Sequence, residues 1–236
     1  MSSSIGQGAR RDRVVWLGAF LVALVVAVVL TWVRVPISSP VYRNAAERFW
    51  NGEQFYRPQE RQPFTYPPFC VLTYLPLLLL PQPLDRVAWY LITFAVLGGV
   101  LAVLRRLTYP IVRAGEARGG PSSGWATALI ALLSARYVIS PIEYESHDLL
   151  LLLLIFLGVA AWARDAAPAA GLWTGLAAAC KATPLLWAAV FLWQRRWRAV
   201  AGFGAVLVAA TFLPDLLVRN PEEPLWVQSW HAKFLQ

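Results

Sequence analysis

The sequence predicts an all-α membrane protein, a polytopic helical bundle of about five to eight membrane segments, and three observations predict it. First, 58% of the 236 residues are apolar and only 14% are charged, with a mean hydropathy of +0.52. A soluble domain of this length cannot hide that much apolar surface. Second, Val14 to Val33 carries no ionisable group between Arg10-Arg11-Asp12-Arg13 and Arg34. At ~1.5 Å of rise per residue the stretch is about 30 Å long, one hydrocarbon core. Third, many of the remaining arginines sit in short clusters at the ends of apolar blocks, as the positive-inside rule requires.

The elements follow in order along a single membrane domain, 1–236. The apolar run of 14–33 is longer than a signal-peptide core of roughly 7 to 15 residues, and Val35-Pro36-Ile37-Ser38 offers no small-x-small cleavage site. It reads as a retained first span behind a cytoplasmic tail, 1–13. A long extracytoplasmic loop, 36–65, comes next, rich in Arg, Glu, Gln, Asn and aromatics. Tyr66 to Pro81 is apolar but broken by Pro67-Pro68 and Pro76, and Val87 to Leu104 is a cleaner helical run. Arg105-Arg106, Arg113 and Arg118 then mark a basic loop closed by the breaker cluster 119–124. Trp125 to Ile139 is largely apolar, 140–147 is a short polar turn, and Leu149 to Ala163 is a leucine-rich run ending at Arg164-Asp165. The last apolar blocks are Pro168 to Trp193, interrupted by Lys181 and Pro184, and Ala199 to Leu213, before a polar tail, 215–236.

With the arginine clusters in the cytoplasm, the 36–65 loop, the 140–147 turn and the tail lie outside. The proline-rich 66–81 piece is then re-entrant or interfacial, and 168–193 becomes a helical hairpin with Lys181 near its turn. Non-helical backbone at that depth must line a cavity or pack on protein. A competing topology makes every block a full span and leaves an arginine cluster outside.

The net charge of +8 and pI near 10 do not indicate nucleic acid, because the arginines follow span ends. The 36–65 loop has no lysine, its glutamates offset most of its arginines, and it makes no basic aromatic platform for bases. Cys70 and Cys180 both lie in apolar segments, giving no disulfide framework and no metal-ligand spacing.

Ionisable groups at the membrane edge are the candidates for chemistry, since each costs ~2.5 to 3.5 kcal/mol to insert. Lys181 either snorkels to an interface or faces a cavity as a cation. Arg136 near the outer end of a span is the second cation, or an inert anchor. Beyond it, Glu143-Tyr144-Glu145-Ser146-His147-Asp148 is the densest acidic cluster. It suits general acid-base work or cation binding, and equally an ordinary solvated turn. The long loop adds Arg43, Glu47, Glu53, Tyr56, Glu60 and Arg61, with Tyr66 just beyond it.

The order Tyr42, Ala45-Ala46, Gly52, Tyr56, Phe64-Thr65-Tyr66-Pro67-Pro68, Arg136 and a polar turn before six leucines resembles glycosyltransferase family 87. The block Gly171-Leu172-Trp173-Thr174-Gly175 through Cys180-Lys181-Ala182-Thr183-Pro184, followed by Arg195-Arg196-Trp197-Arg198, is similar to that family's most distinctive stretch. The resemblance implies a GT-C-like enzyme of the cell membrane, multi-pass and in a bacterial inner membrane. Such an enzyme moves mannose or a similar sugar from a polyprenyl-phosphate carrier to an extracytoplasmic glycan or glycolipid, with no cofactor. In that setting Arg136 and Lys181 face the donor phosphate, Tyr42 and Tyr66 offer a stacking surface, and His147 of the polar turn is a further substrate-binding residue.

The family's base is an aspartate a few residues before the tyrosine, where this chain reads Ile37-Ser38-Ser39-Pro40-Val41-Tyr42. The turn that usually reads Gly-Gln-x-Asn is Glu145-Ser146-His147-Asp148 here. The replacement carboxylates are therefore Glu47, Glu145 and Asp148, the last also placed to cap the leucine-rich helix. The family is typically longer than this chain, so the reading includes a truncated or reduced relative. A non-catalytic lipid-carrier-binding subunit, completed by a second membrane chain, is the alternative.

Overall fold

The structure, a computed structural model, describes residues 18, 20–35, 38–116 and 123–235, with backbone alone over 109–116 and 123–132. The basic tail 1–13 and the core of the breaker cluster, 119–122, lie outside the described residues. Every regular element described is a helix: α1 (Phe20–Val33), α2 (Ser39–Trp50), α3 (Phe69–Leu72), α4 (Leu84–Glu116) and α5 (Ser123–Glu143), then α6 (Asp148–Trp162), α7 (Ala167–Cys180), α8 (Leu186–Trp193), α9 (Trp197–Leu217) and α10 (Trp226–Phe234). Two are long and apolar enough to cross a membrane, α9 and the Leu84–Thr108 part of α4.

Three expectations change. The long loop contains α2, whose buried residues Tyr42, Ala45, Ala46 and Phe49 recur at helical spacing on one face. Helix α4 runs on through Arg105 and past Pro110 to Glu116, where the arginines mark no break in the helix. The tail holds α10, and its Trp226 is fully buried against Phe49 and Phe55. The 66–81 piece keeps its broken character, with α3 followed by a 3-10 turn over Leu75–Leu79.

Helices α6 to α9 form the packed body. Helix α7 packs on both α6 and α9, and α4 packs on α6. Gly171 and Gly175, one turn apart on α7, let α9 approach to backbone contact. A Cβ on Gly171 would lie 2.0 Å from the Ala199 carbonyl oxygen, and one on Gly175 would lie 2.9 Å from that of Phe203. The approach is reciprocal: a Cβ on Gly202 of α9 would lie 2.5 Å from the Pro168 carbonyl oxygen. Gly158 of α6 likewise faces Thr174 of α7.

Three helices end on a charged residue in the left-handed region, Glu145 (φ 55°), Asp165 (φ 54°) and Arg195 (φ 54°). Each is followed by a six-to-one backbone bond: Ser146 N–H to Pro141 O, Ala166 N–H to Ala161 O and Arg196 N–H to Phe191 O. These caps turn the chain sharply without glycine, at a cost of about 1–2 kcal/mol each. At one end of the body the last two turns gather Arg164, Asp165, Arg195 and Arg196, with Arg196 Nη1 3.3 Å from Asp165 Oδ1. At the other end the start of α6 meets the break after α7, and the candidate site lies there.

Candidate functional site

Lys181 sits where α7 stops. Its backbone is extended (φ −150°, ψ 136°), and Pro184 in the following 3-10 turn prevents the helix from continuing. The hairpin of α6 and α7 brings this break level with the first residue of α6, so Lys181 Nζ bonds Asp148 Oδ1 at 2.7 Å. Both side chains are part-exposed, 36% for Lys181 and 43% for Asp148. The second carboxylate oxygen of Asp148 accepts the Ser146 hydroxyl at 3.0 Å. Asp148 opens α6 as expected but is not its side-chain cap, because His147 occupies the cap position without a capping bond.

His147 lies between this ion pair and an aromatic cluster. Its ring meets Tyr66 edge-on at 4.6 Å and Tyr42 at 5.6 Å, and Tyr42 donates its hydroxyl to Tyr66 at 3.1 Å. Nε2 is 3.7 Å from Cys70 Sγ, while Nδ1 has no protein partner. Only 2% of the residue is exposed, and burial pushes the imidazole down to about 4, so it is neutral at physiological pH.

An apolar groove of about 200 Å³ is lined by residues on both sides of Lys181 in the chain, though by neither member of the pair. Pro67 and Pro68, next to Tyr66, form one wall, Ala178, Ala179 and Ala182, which flank Lys181, form another, and Leu207 and Trp230 are among the residues that complete it. The Trp230 indole donates to the Thr65 carbonyl at 2.9 Å and fixes the loop over the groove.

The other predicted residues lie apart. Glu145 is 1% exposed and faces inward, accepting Arg86 Nε at 3.0 Å and the Tyr90 hydroxyl at 2.9 Å on Oε1, and the Ser39 amide at 3.3 Å on Oε2. Arg86 Nη2 also bonds Oε1. Arg86 further donates to the Thr31 and Arg34 carbonyls, so this one carboxylate ties α1, α2 and α4 to the turn carrying His147 and Asp148. Glu47 lies off the buried face of α2, 2.7 Å from Arg43 Nε. Arg136 is exposed on α5 and joins none of the described ion pairs. The structure thus brings together Lys181, Asp148, His147, Tyr42 and Tyr66, and leaves Arg136, Glu47 and Glu145 outside that group.

Arg86 and Asp85 escaped the sequence reading because they open an apolar helix, where a charged first turn looks like a simple boundary. Their signal was a carboxylate and an arginine side by side at the start of a long apolar helix.

The part-exposed ammonium of Lys181 and the apolar groove near it are the features of the site that suit an anionic head with an aliphatic tail. The model of glycosyltransferase family 87 matches residues 64–233, and the chain belongs to that family. It is 32% identical over 158 residues to the polyprenol-phosphate-mannose-dependent alpha-(1-2)-phosphatidylinositol pentamannoside mannosyltransferase of Mycolicibacterium smegmatis, covering 66% of this chain and 35% of that protein. The protein of the same description in Mycobacterium tuberculosis is 32% identical over 164 residues, covering 68% of this chain and 35% of its own length. The chain thus spans about a third of the length of these curated relatives. No solved structure matches it.

Proposed function

We propose that this chain is a multi-pass inner-membrane protein that carries the donor end of a glycosyltransferase, moving mannose from a polyprenyl-phosphate to an extracytoplasmic glycolipid. The carrying observation is the part-exposed Lys181–Asp148 pair, 2.7 Å apart, with Ala179 and Ala182 on either side of Lys181 lining an apolar groove of about 200 Å³. An isoprenoid chain suits the groove, and its phosphate suits the lysine. The curated relatives support the reading, since their descriptions specify a polyprenol-phosphate-mannose donor and a phosphatidylinositol mannoside acceptor.

In the resting pair Lys181 neutralises Asp148. A donor phosphate that takes the ammonium as its partner releases the carboxylate as a base. The acceptor oxygen then attacks the anomeric carbon, the bond from that carbon to the phosphate oxygen breaks, and the hydroxyl proton passes to Asp148. Polyprenyl phosphate leaves with the electron pair, its charge balanced by Lys181. Part-exposed Tyr66 flanks the sugar, and Tyr42, 1% exposed, supports it from behind.

A second reading, a lipid-carrier-binding subunit without catalysis, is favoured by one observation: no carboxylate stands at 37–42, where the family resemblance implies the base. Membranes overproducing the folded chain and supplied with radiolabelled polyprenyl-phosphate-mannose separate the two. Transfer to glycolipid, lowered ~10²-fold or more by Asp148→Asn, with donor affinity weakened by Lys181→Met, is the expected result. Donor binding that depends on Lys181 without any transfer sinks the catalytic reading and selects the second.

A further inference from the structure

A second polar cavity lies on the other side of the aromatic cluster. It measures about 350 Å³ and is lined by Ser39, Arg43, Asp85 and Arg86, among others. The same four residues border a small recess of about 10 Å³ that Tyr74 and Trp89 help to close. That recess has room for roughly one oxygen-sized group. Tyr74 is 3% exposed and Trp89 6%, yet the Tyr74 hydroxyl and Trp89 Nε1 have no partner in the protein, and neither does the Ser39 hydroxyl. Three unpartnered buried polar atoms around one recess are costly, at about 1–3 kcal/mol each, unless something occupies it.

The charges decide what that occupant is. Arg86 spends Nε, Nη1 and Nη2 on Glu145, Thr31 and Arg34. Arg43 spends Nε and Nη1 on Glu47, Asp85 and the Leu80 carbonyl. Two guanidiniums face three carboxylates, Glu47, Asp85 and Glu145, so an anion finds a field of the wrong sign. The groups left over are the Trp89 N–H, two hydroxyls and the two N–H of Arg43 Nη2, together with the spare lone pairs of Asp85, which takes one bond on each oxygen, a mix of donors and acceptors. That set matches a neutral molecule carrying several hydroxyls.

We infer that the Ser39–Asp85 cavity is a binding site for a neutral polyhydroxylated ring, with one hydroxyl seated in the Tyr74–Trp89 recess and the ring in the larger space, held by Asp85. The ring's belonging to the sugar acceptor rests on the transferase reading above; the binding itself does not. The site is separate from the Lys181–Asp148 pair, and Tyr42, stacked on Tyr74 at 4.3 Å, stands at the boundary between the two.

Saturation-transfer NMR on the full chain in lipid nanodiscs, with methyl α-mannopyranoside as the probe, tests this without catalysis. Transfer to the sugar ring is expected, weakened roughly fivefold to tenfold by Trp89→Phe, which keeps the ring but removes the N–H, and more strongly by Asp85→Asn. Lys181→Met, which disables the donor end, retains the sugar signal, so loss of sugar binding and loss of donor binding report separately on the two readings. A wild-type chain that unfolds cooperatively but shows no transfer to the sugar means a recess filled by water only and overturns the inference. Displacement of the sugar by inorganic phosphate, or a Trp89→Phe affinity equal to wild type, overturns it as well.

Discussion

The two buried clusters of this protein are built on opposite principles. At the site end, Tyr42, Phe49, Phe55, Tyr56, Phe64, Tyr74 and Trp226 pack with Cys70, Leu151 and Cys180, largely from short helices and loop segments. Towards the arginine turns, Ala170, Ala178, Ala199, Phe191 and Phe203 are the core of continuous helices. Small residues let α7 and α9 touch along their backbones, which is how helices associate where lipid is as apolar as the side chains. Large aromatics with hydroxyl and imidazole handles instead hold irregular backbone in place outside the helices, and leave polar atoms over. The first arrangement tolerates almost no added volume. The second depends on polar satisfaction.

Adding volume to the small-residue cluster breaks that contrast most severely. Gly171→Leu places atoms where the Ala199 carbonyl stands, 2.0 Å from the first carbon added, and neither backbone can retreat without parting α7 from α9. A loss above about 4 kcal/mol is expected, seen as failure to give a monodisperse peak on size exclusion in detergent. Gly204→Leu, at a glycine with nothing within 4 Å of its added carbon, serves as the matched control and should behave as wild type.

Removing a polar partner from the aromatic end is the next largest effect. Arg86→Ala leaves the Glu145 carboxylate buried without its cation, at a cost of about 3–5 kcal/mol, read as a lower midpoint in thermal unfolding. Adding Glu145→Gln should recover part of the loss, because the orphaned charge is then removed. Equal destabilisation by the single and double variants would mean that the clamp acts through packing, and would erase the distinction between the two cores.

The same contrast governs what the sequence disclosed. The helical class, the Lys181 break and the Asp148 start of α6 were legible, because apolar runs, Pro184 and a charged first turn are local signals. The pairing of Lys181 with Asp148 was not legible, since 33 residues separate them. Helix α2 was missed although Tyr42, Ala45, Ala46 and Phe49 carry its spacing; the surrounding Arg, Glu and Asn masked an apolar face made half of alanine. The inward turn of Glu145 had no sequence signal, because a carboxylate in a polar turn reads as solvated until Arg86, 59 residues away, is seen to reach it. Arg136 shows the converse, an arginine near the end of an apolar run that the fold leaves exposed.

His147 gives the mildest and most specific test of the aromatic end. The imidazole is buried, faces Cys70 through Nε2, and has nothing on Nδ1 to receive a second proton. Its folded value is about 4, below the ordinary 6.5, and burial is the main cause, with Lys181 adding to it and Asp148 opposing. Between those two values the unfolded chain binds the proton and the folded chain does not, so stability is complete above about pH 6.5 and declines as pH falls towards 4. At pH 5 the deficit is on the order of 2 kcal/mol. His147→Phe keeps an aromatic ring against Tyr42 and Tyr66 but cannot titrate, so the drop in unfolding midpoint between pH 7 and pH 5 should shrink by that amount. An unchanged drop would place the acid sensitivity in the carboxylates. A larger drop would show that the imidazole gains a proton-stabilising partner in the folded chain, with Asp148 the nearest carboxylate to supply it.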